Sequence, residues 1–381
     1  MIPYPLSELT DERAELATTV RKLFERHCDE QQVRARMERR EGFDPATHRE
    51  LAETIGVFAL QVPEEYGGAG FGPGDLLPVF EEAGRALYGG PLLSSTTAAA
   101  ALTAIGDPQV CARLLPDIAA GRTVATLAGM DGAPSPIAAA RDAAGSWTLT
   151  GAVEPVLDGV DADLLLVPAR TGDEVGLFAV ATDGLARTPL QGLDMTRRQA
   201  VVMVSGTSAE QVAAGPAAEA ALRAALDHAA LAVAAECLGA ARRCLEDAVA
   251  YALTRHQFSR PIGGFQAVKH RLASLWARTE AAGVVFRSAV AALDTAGRPE
   301  PLDSAHAFIA CADALDGCAE GTIRVHGGIG FTWEHSAHLY FRRARAAQTL
   351  LGPLSAHRAR VAQLAGLDAA SAAHPQGEPA R

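Results

Sequence analysis

Apolar residues fall on a helical stripe almost from the start of the chain: Leu16, Val20, Leu23 and Phe24 share one face, behind a Thr10 cap and an acidic first turn of Asp11 and Glu12. Asp44-Pro45 is a cap followed by proline at the first helical position, and Gly56 predicts the end of that helix. Pro63–Gly70 is a turn-rich connector, Asp75 to Ala86 a further helix, and Gly89-Gly90-Pro91 a breaker. From about Arg122 the texture changes. Short apolar runs at Thr123–Leu127, Trp147–Thr150, Leu164–Val167, Leu177–Ala181 and Ala200–Val204 alternate with glycine and aspartate turns, the pattern of a small β domain. Helical periodicity returns near 217–253, 266–296, 301–326 and 335–365. The expected organisation is an N-terminal α-helical domain over 1–121, a β-barrel or sandwich over 122–210, and a C-terminal helical bundle over 217–365, with 366–381 a disordered tail. A boundary is expected near 206–218, at Gly206-Thr207-Ser208-Ala209-Glu210. That order is α+β, a four-helix bundle beside a β domain.

Composition narrows the class. Hydrophobic residues at 49% and charged residues at 21% fit an ordinary enzyme. A net charge of −11 disfavours nonspecific binding to nucleic acid or anionic lipid. No apolar run reads as a membrane span, since Asp227, Glu236 and Arg242 bracket the alanine-rich Ala229–Ala235. The first thirty residues lack a secretory signal, so the expected location is cytoplasmic. The six cysteines have no metal-type spacing, and the pairs Cys237/Cys244 and Cys311/Cys318 read as small buried side chains of helices.

Two segments carry candidate chemistry. Arg255-His256-Gln257-Phe258-Ser259-Arg260-Pro261-Ile262-Gly263-Gly264-Phe265-Gln266 supplies a guanidinium, an aromatic ring and an amide. Arg324-Val325-His326-Gly327-Gly328-Ile329-Gly330-Phe331 supplies consecutive glycines, where a backbone can approach a ligand closely. A guanidinium fork matches phosphate oxygens, so the pair can clamp a pyrophosphate that bears a flat ring. In this order, and followed by Thr332-Trp333-Glu334-His335, the segments resemble the C-terminal signature of acyl-CoA dehydrogenases, and the likeness extends over about residues 8–365. The resemblance implies an FAD-dependent enzyme acting on acyl-CoA and passing electrons to an electron-transfer flavoprotein-type acceptor. It implies that Arg255, Phe258 and Gln266 of one subunit hold the ADP half of a neighbour's FAD, and that Gly327 and Gly328 let the backbone approach it. Arg324 replaces the family's usual glutamine and either adds a phosphate partner or pairs with protein.

The family's catalytic base is a glutamate that takes the substrate's α-proton. Matching Arg342 and Arg358 to the family's flanking arginines places Leu351-Gly352-Pro353 at that glutamate's usual site, with Leu351 in its seat. The alternative seat, twenty-six residues before Arg255, is Ala229. Pro155 and Leu157 stand where the family often has a tryptophan and a threonine beside the flavin ring, and Gly129–Ala133 only loosely matches its flavin loop. Glu236, Asp227 and Glu334 are the remaining acid candidates, although Glu236 lies about 10 Å along the helix from Ala229 and suits an ion pair better. The clamp is kept while the ring side and base are lost. That asymmetry implies one subunit of a hetero-oligomer, completed by a homologous acyl-CoA dehydrogenase chain that brings the base. The other readings are a self-sufficient homotetramer with a relocated base, a non-redox paralogue and a flavin-dependent oxygenase on the same fold.

Overall fold

The structure is a computed structural model that describes residues 10–38 and 43–367. The expected tail from 368 onward lies outside the described residues.

Helix α1 (Asp11–His27) begins where Thr10 Oγ1 accepts the Arg13 amide at 3.3 Å, and it buries Val20, Leu23 and Phe24. After α2 (Glu30–Glu38), the Asp44 carboxylate accepts the Thr47 amide at 3.0 Å and starts α3 (Pro45–Arg49). Its continuation widens into a π-helical turn and stops at Gly56, whose φ of 76° suits glycine. Next come α4 (Leu77–Arg85), α5 (Leu92–Ile105) and α6 (Pro108–Ala119). All of Leu92–Ala99 in α5 is buried, so this helix is a core element with no exposed face on its first two turns.

Seven strands follow: β1 (Ala125–Leu127), β2 (Ala138–Arg141), β3 (Trp147–Leu157), β4 (Leu164–Thr171), β5 (Glu174–Ala181), β6 (Ala186–Leu190) and β7 (Gln199–Ala214). Pairing runs β4–β2–β3–β7–β5 and returns from β5 to β4, which closes a small barrel. Strand β1 lies parallel to β4, and β6 pairs with β7 outside the ring. Val153, Val167, Phe178 and Val202 fill the interior. Within the segment 206–218 expected to hold a boundary, Gly206–Glu210 lie inside β7, because bulges against β3 and β5 let the strand bend without breaking, and the strand passes into the next helix at Ala214–Gly215.

The bundle comprises α7 (Gly215–Thr254), a hairpin of β8 (His256–Gln257) and β9 (Arg260–Pro261), α8 (Gln266–Ala296), α9 (Pro301–His326), α10 (Ala337–Leu350) and α11 (Leu354–Leu364). The fourth expected helix is thus two, broken at Leu351–Pro353. Helix α7 is long and apolar enough to cross a membrane by composition, but 89% of that window is buried in the fold. Glycines let α4 and α7 touch backbone to backbone: a Cβ on Gly84 would lie 1.9 Å from the Glu236 carbonyl oxygen, and one on Gly239 1.8 Å from that of Glu81. All six cysteines are buried free thiols.

Candidate functional site

Helix direction gathers the clamp. Thr322 Oγ1 on α9 donates to the Cys244 carbonyl on α7 at 2.8 Å, and further along both helices Tyr251 stacks on His326 with centroids 4.3 Å apart. These contacts advance in the same direction, so α7 and α9 are parallel and their C-terminal loops emerge together. Thr279 of α8 meets Cys318 of α9 while Ala282 meets Cys311, which makes α8 antiparallel and brings its first residue, Gln266, to the same end. Arg255, Phe258, Gln266, Gly327 and Gly328 therefore share one end of the bundle.

The hairpin at that end is strained and exposed. Phe258 and Ser259 both have positive φ, 51° and 62°, the two-residue turn that normally takes Gly, Asn or Asp. Phe258 is 87% exposed. Strain of order 1–3 kcal/mol at a bulky residue marks a functional position better than a structural one. Below it, Phe265 meets Phe258 edge-on at 6.1 Å and lies 4.0 Å under the Arg260 guanidinium. The Arg255 backbone is pinned, its amide donating to the Tyr251 carbonyl and its carbonyl accepting from Ile262, both at 2.8 Å. Its exposed side chain makes no ion pair among the described residues. Gly327 has φ 67° and ψ −139°, and a Cβ at Gly327 or Gly328 would meet nothing within 4 Å. The backbone there faces open space. Arg324 instead pairs with Glu320 one turn back, at 3.0 Å, so of its two expected roles the structure shows the protein ion pair. His326, the last residue of α9, is buried against Tyr251 and His335.

The positions expected beside the flavin ring are of the opposite kind. Leu351 is 5% exposed and shares a core with Leu127, Met130, Leu157 and Leu354. Gly352, with φ 85°, rests on the Gly129–Ala133 loop so closely that a Cβ would lie 2.6 Å from the Asp131 carbonyl oxygen. Ala229 is fully buried. Pro155 sits exposed in the bulge of β3, and the Leu157 side chain is buried. None of these groups can stack on a flavin or take a proton. The residues present thus fit the nucleotide half of FAD and not its ring half.

The three acid candidates are engaged elsewhere or exposed. Glu236 is buried in an ion pair with Arg197, and 4.0 Å from Arg343 Nη1. Arg343 also pairs with Asp194 and donates to Thr196 Oγ1 at 2.6 Å, so one buried network ties α7 and α10 to the loop before β7. Asp227 pairs with Arg360 of α11 at 2.8 Å, and burial raises its carboxyl above the usual aspartate range. Glu334 is exposed on the glycine-loop side, its amide bonded to Thr332 Oγ1 at 3.3 Å. Asp227 interacts electrostatically with His357, whose Nε2 lies 2.7 Å from the Leu351 carbonyl oxygen.

One acid escapes a sequence reading. Asp158, directly after Leu157 and in left-handed conformation (φ 52°), is 3% exposed. Ser94 Oγ of α5 donates to its Oδ2 at 2.6 Å, and burial pushes its carboxyl up to about 7. The Asp158-Gly159 pair signals only a turn; the serine opposite it comes from a helix 64 positions earlier.

The N-terminal domain model of acyl-CoA dehydrogenases matches residues 10–122, and the C-terminal domain model matches 219–365. The chain belongs to the acyl-CoA dehydrogenase family. These are FAD-dependent oxidoreductases acting on acyl-CoA thioesters. Among curated relatives, the acyl-CoA dehydrogenase IpdE2 of Mycolicibacterium smegmatis is 36% identical over 345 residues, 91% of this chain and 96% of that one. Among solved structures, the Tcur3481–Tcur3483 steroid ACAD aligns with a TM-score of 0.84 at 31% identity, covering 94% of this chain and 99% of that one. The ChsE4–ChsE5 complex of Mycobacterium tuberculosis aligns with a TM-score of 0.83 at 29% identity, covering 96% and 98%.

Proposed function

We propose that this chain is the base-lacking subunit of a hetero-oligomeric acyl-CoA dehydrogenase. It presents Arg255, Phe258, Gln266 and the Gly327-Gly328 backbone to the ADP half of an FAD whose reactive ring is served by a homologous partner. The observation that carries this reading is the buried Leu351 in the base's seat, with Glu236 and Asp227 already held by arginines. FAD supplies the hydride acceptor; this chain's part is to hold phosphates through Arg255 and to cover the nucleotide with Phe258. The proton goes to a carboxylate of the partner. The likeness to the ChsE4–ChsE5 complex supports a two-chain assembly, and the likeness to a steroid ACAD supports a bulky acyl group on CoA. An electron-transfer flavoprotein-type acceptor and a cytoplasmic location belong to the same proposal.

The test is dehydrogenation of an acyl-CoA by the purified chain, alone and after co-expression with a homologous acyl-CoA dehydrogenase chain that carries the base. Activity and full flavin content only in the co-expressed oligomer are expected. A chain that is fully loaded with flavin and active alone overturns the proposal. Asp158 would then be the acid to examine, since Ser94 rather than an arginine holds it and its proton is exchangeable near neutral pH. Loss of that activity in Asp158→Asn would identify it as the relocated base.

A further inference from the structure

A column of three rings joins the halves of the clamp. Tyr251 lies one helical turn before Arg255, and His326 immediately before Gly327; they stack at 4.3 Å. His335 continues the column 4.2 Å beyond His326. Hydrogen bonds fix which nitrogens carry protons. His326 Nδ1 lies 2.8 Å from the Thr322 carbonyl, which only accepts, so that nitrogen donates. His335 Nδ1 lies 3.0 Å from the Ala337 amide, which only donates, so that nitrogen is a lone pair and the ring is neutral. Ala337 is the first residue of α10, and Ser336 at the cap position makes no side-chain cap bond. His335 therefore does the capping.

We propose that His335 is a positioning residue for the nucleotide clamp: as a neutral imidazole it holds the Gly327-Gly328 loop against the Arg255 hairpin, and protonation releases that loop. A second proton has only Nδ1 to occupy, which breaks the bond to Ala337. It also sets a cation at a helix N-terminus, where the helix dipole favours the opposite charge. The surrounding groups come from each packed element. Glu30 and Asp247 favour the protonated ring, while Arg34 and His326 oppose it, and burial opposes it most, so His335 is held below the ordinary histidine range. Its neighbour His338 on α10 is likewise held low, by burial and then by Arg34 and Arg342. The inference rests on the reading of Arg255 and Gly327-Gly328 as the FAD clamp.

Two measurements separate the latch from the clamp. Hydrogen exchange of amides 327–338 in the full chain, at neutral pH and about one unit below the ordinary imidazole value of about 6.5, reports the loop without cofactor. Relative to His335→Asn, which keeps an acceptor and cannot titrate, the native loop should exchange about tenfold faster at the lower pH, the ratio that one pH unit gives. His335→Phe, which keeps the stack and loses the acceptor, should exchange fast at both. Equal pH responses in native chain and His335→Asn overturn the latch. Titration of FAD into the assembled oligomer should then show the same pattern, affinity falling with pH in the native protein and not in His335→Asn. A loop that responds while FAD affinity does not overturns the reading of this loop as the clamp, and the positioning role with it.

Discussion

The clamp end and the ring side of this molecule are built on opposite principles. At the expected clamp, Phe258 stands 87% exposed on a left-handed turn, the Arg255 side chain has no ion pair among the described residues, and a Cβ on Gly327 or Gly328 would meet nothing within 4 Å. At the positions expected beside the ring, Leu351, Leu157 and Met130 are buried in one core, and Glu236, Asp227 and Asp158 are held by an arginine or a serine. A surface that keeps strain and exposure is kept for something outside the chain. A region lined by buried leucines is held by packing. Folding stability and cofactor binding should therefore separate cleanly by region.

The largest expected effect lies away from the clamp, in the buried network of Arg343. Arg343→Met leaves Asp194 and Glu236 short of a partner in the interior and should cost about 3–5 kcal/mol in denaturant unfolding. A clamp variant that costs as much would break the comparison. Next comes Arg255→Ala: loss of a charge-assisted pair should weaken FAD binding by the assembled oligomer by about 1.5–3 kcal/mol, while unfolding of the free chain moves within about 0.5 kcal/mol.

Asp158 gives a pH signature of the closed side. The folded chain keeps its proton up to about 7, whereas the unfolded chain releases it near 3.8. The folded state thus binds more protons across that window, and stability falls as pH rises through it. Asp158→Asn, which still accepts from Ser94, should remove the slope and raise stability at neutral pH by about 1–2 kcal/mol, discounted from the 1.36 kcal/mol per unit that the full shift implies. An unchanged pH profile would show that the carboxyl is ionised in place. The smallest effect has opposite signs. Phe258→Gly relieves a left-handed residue and should stabilise the free chain by up to about 1 kcal/mol, yet it should weaken FAD retention in the oligomer. Thermal unfolding and flavin release, measured on the same variant, check both.

What could be read from the chain follows from the distance over which each feature is written. The caps at Thr10 and Asp44 and the two clamp segments use neighbouring residues, so their pattern survives in one dimension. The strands β2 and β6 escaped because their residues are mostly exposed and carry no apolar run. Helix α5 gives no period because it is buried all round. The Gly206–Glu210 segment has turn-like residues inside a strand, which its pairing with β3 overrides. Asp158 with Ser94 and Arg343 with Asp194 join residues 64 and 149 positions apart, and no local spacing signals either. Leu351 could be read for the converse reason: a side chain without a carboxylate needs no partner to be noticed.

Because α7 and α9 run side by side in the same sense, the return stroke of α8 must be completed before Gly327 can reach Arg255. During synthesis the first half of the nucleotide grip leaves the ribosome some seventy residues ahead of the second. Flavin therefore cannot template the early steps of folding in this chain. On the proposed reading, both halves of the clamp can meet the flavin only in a finished bundle.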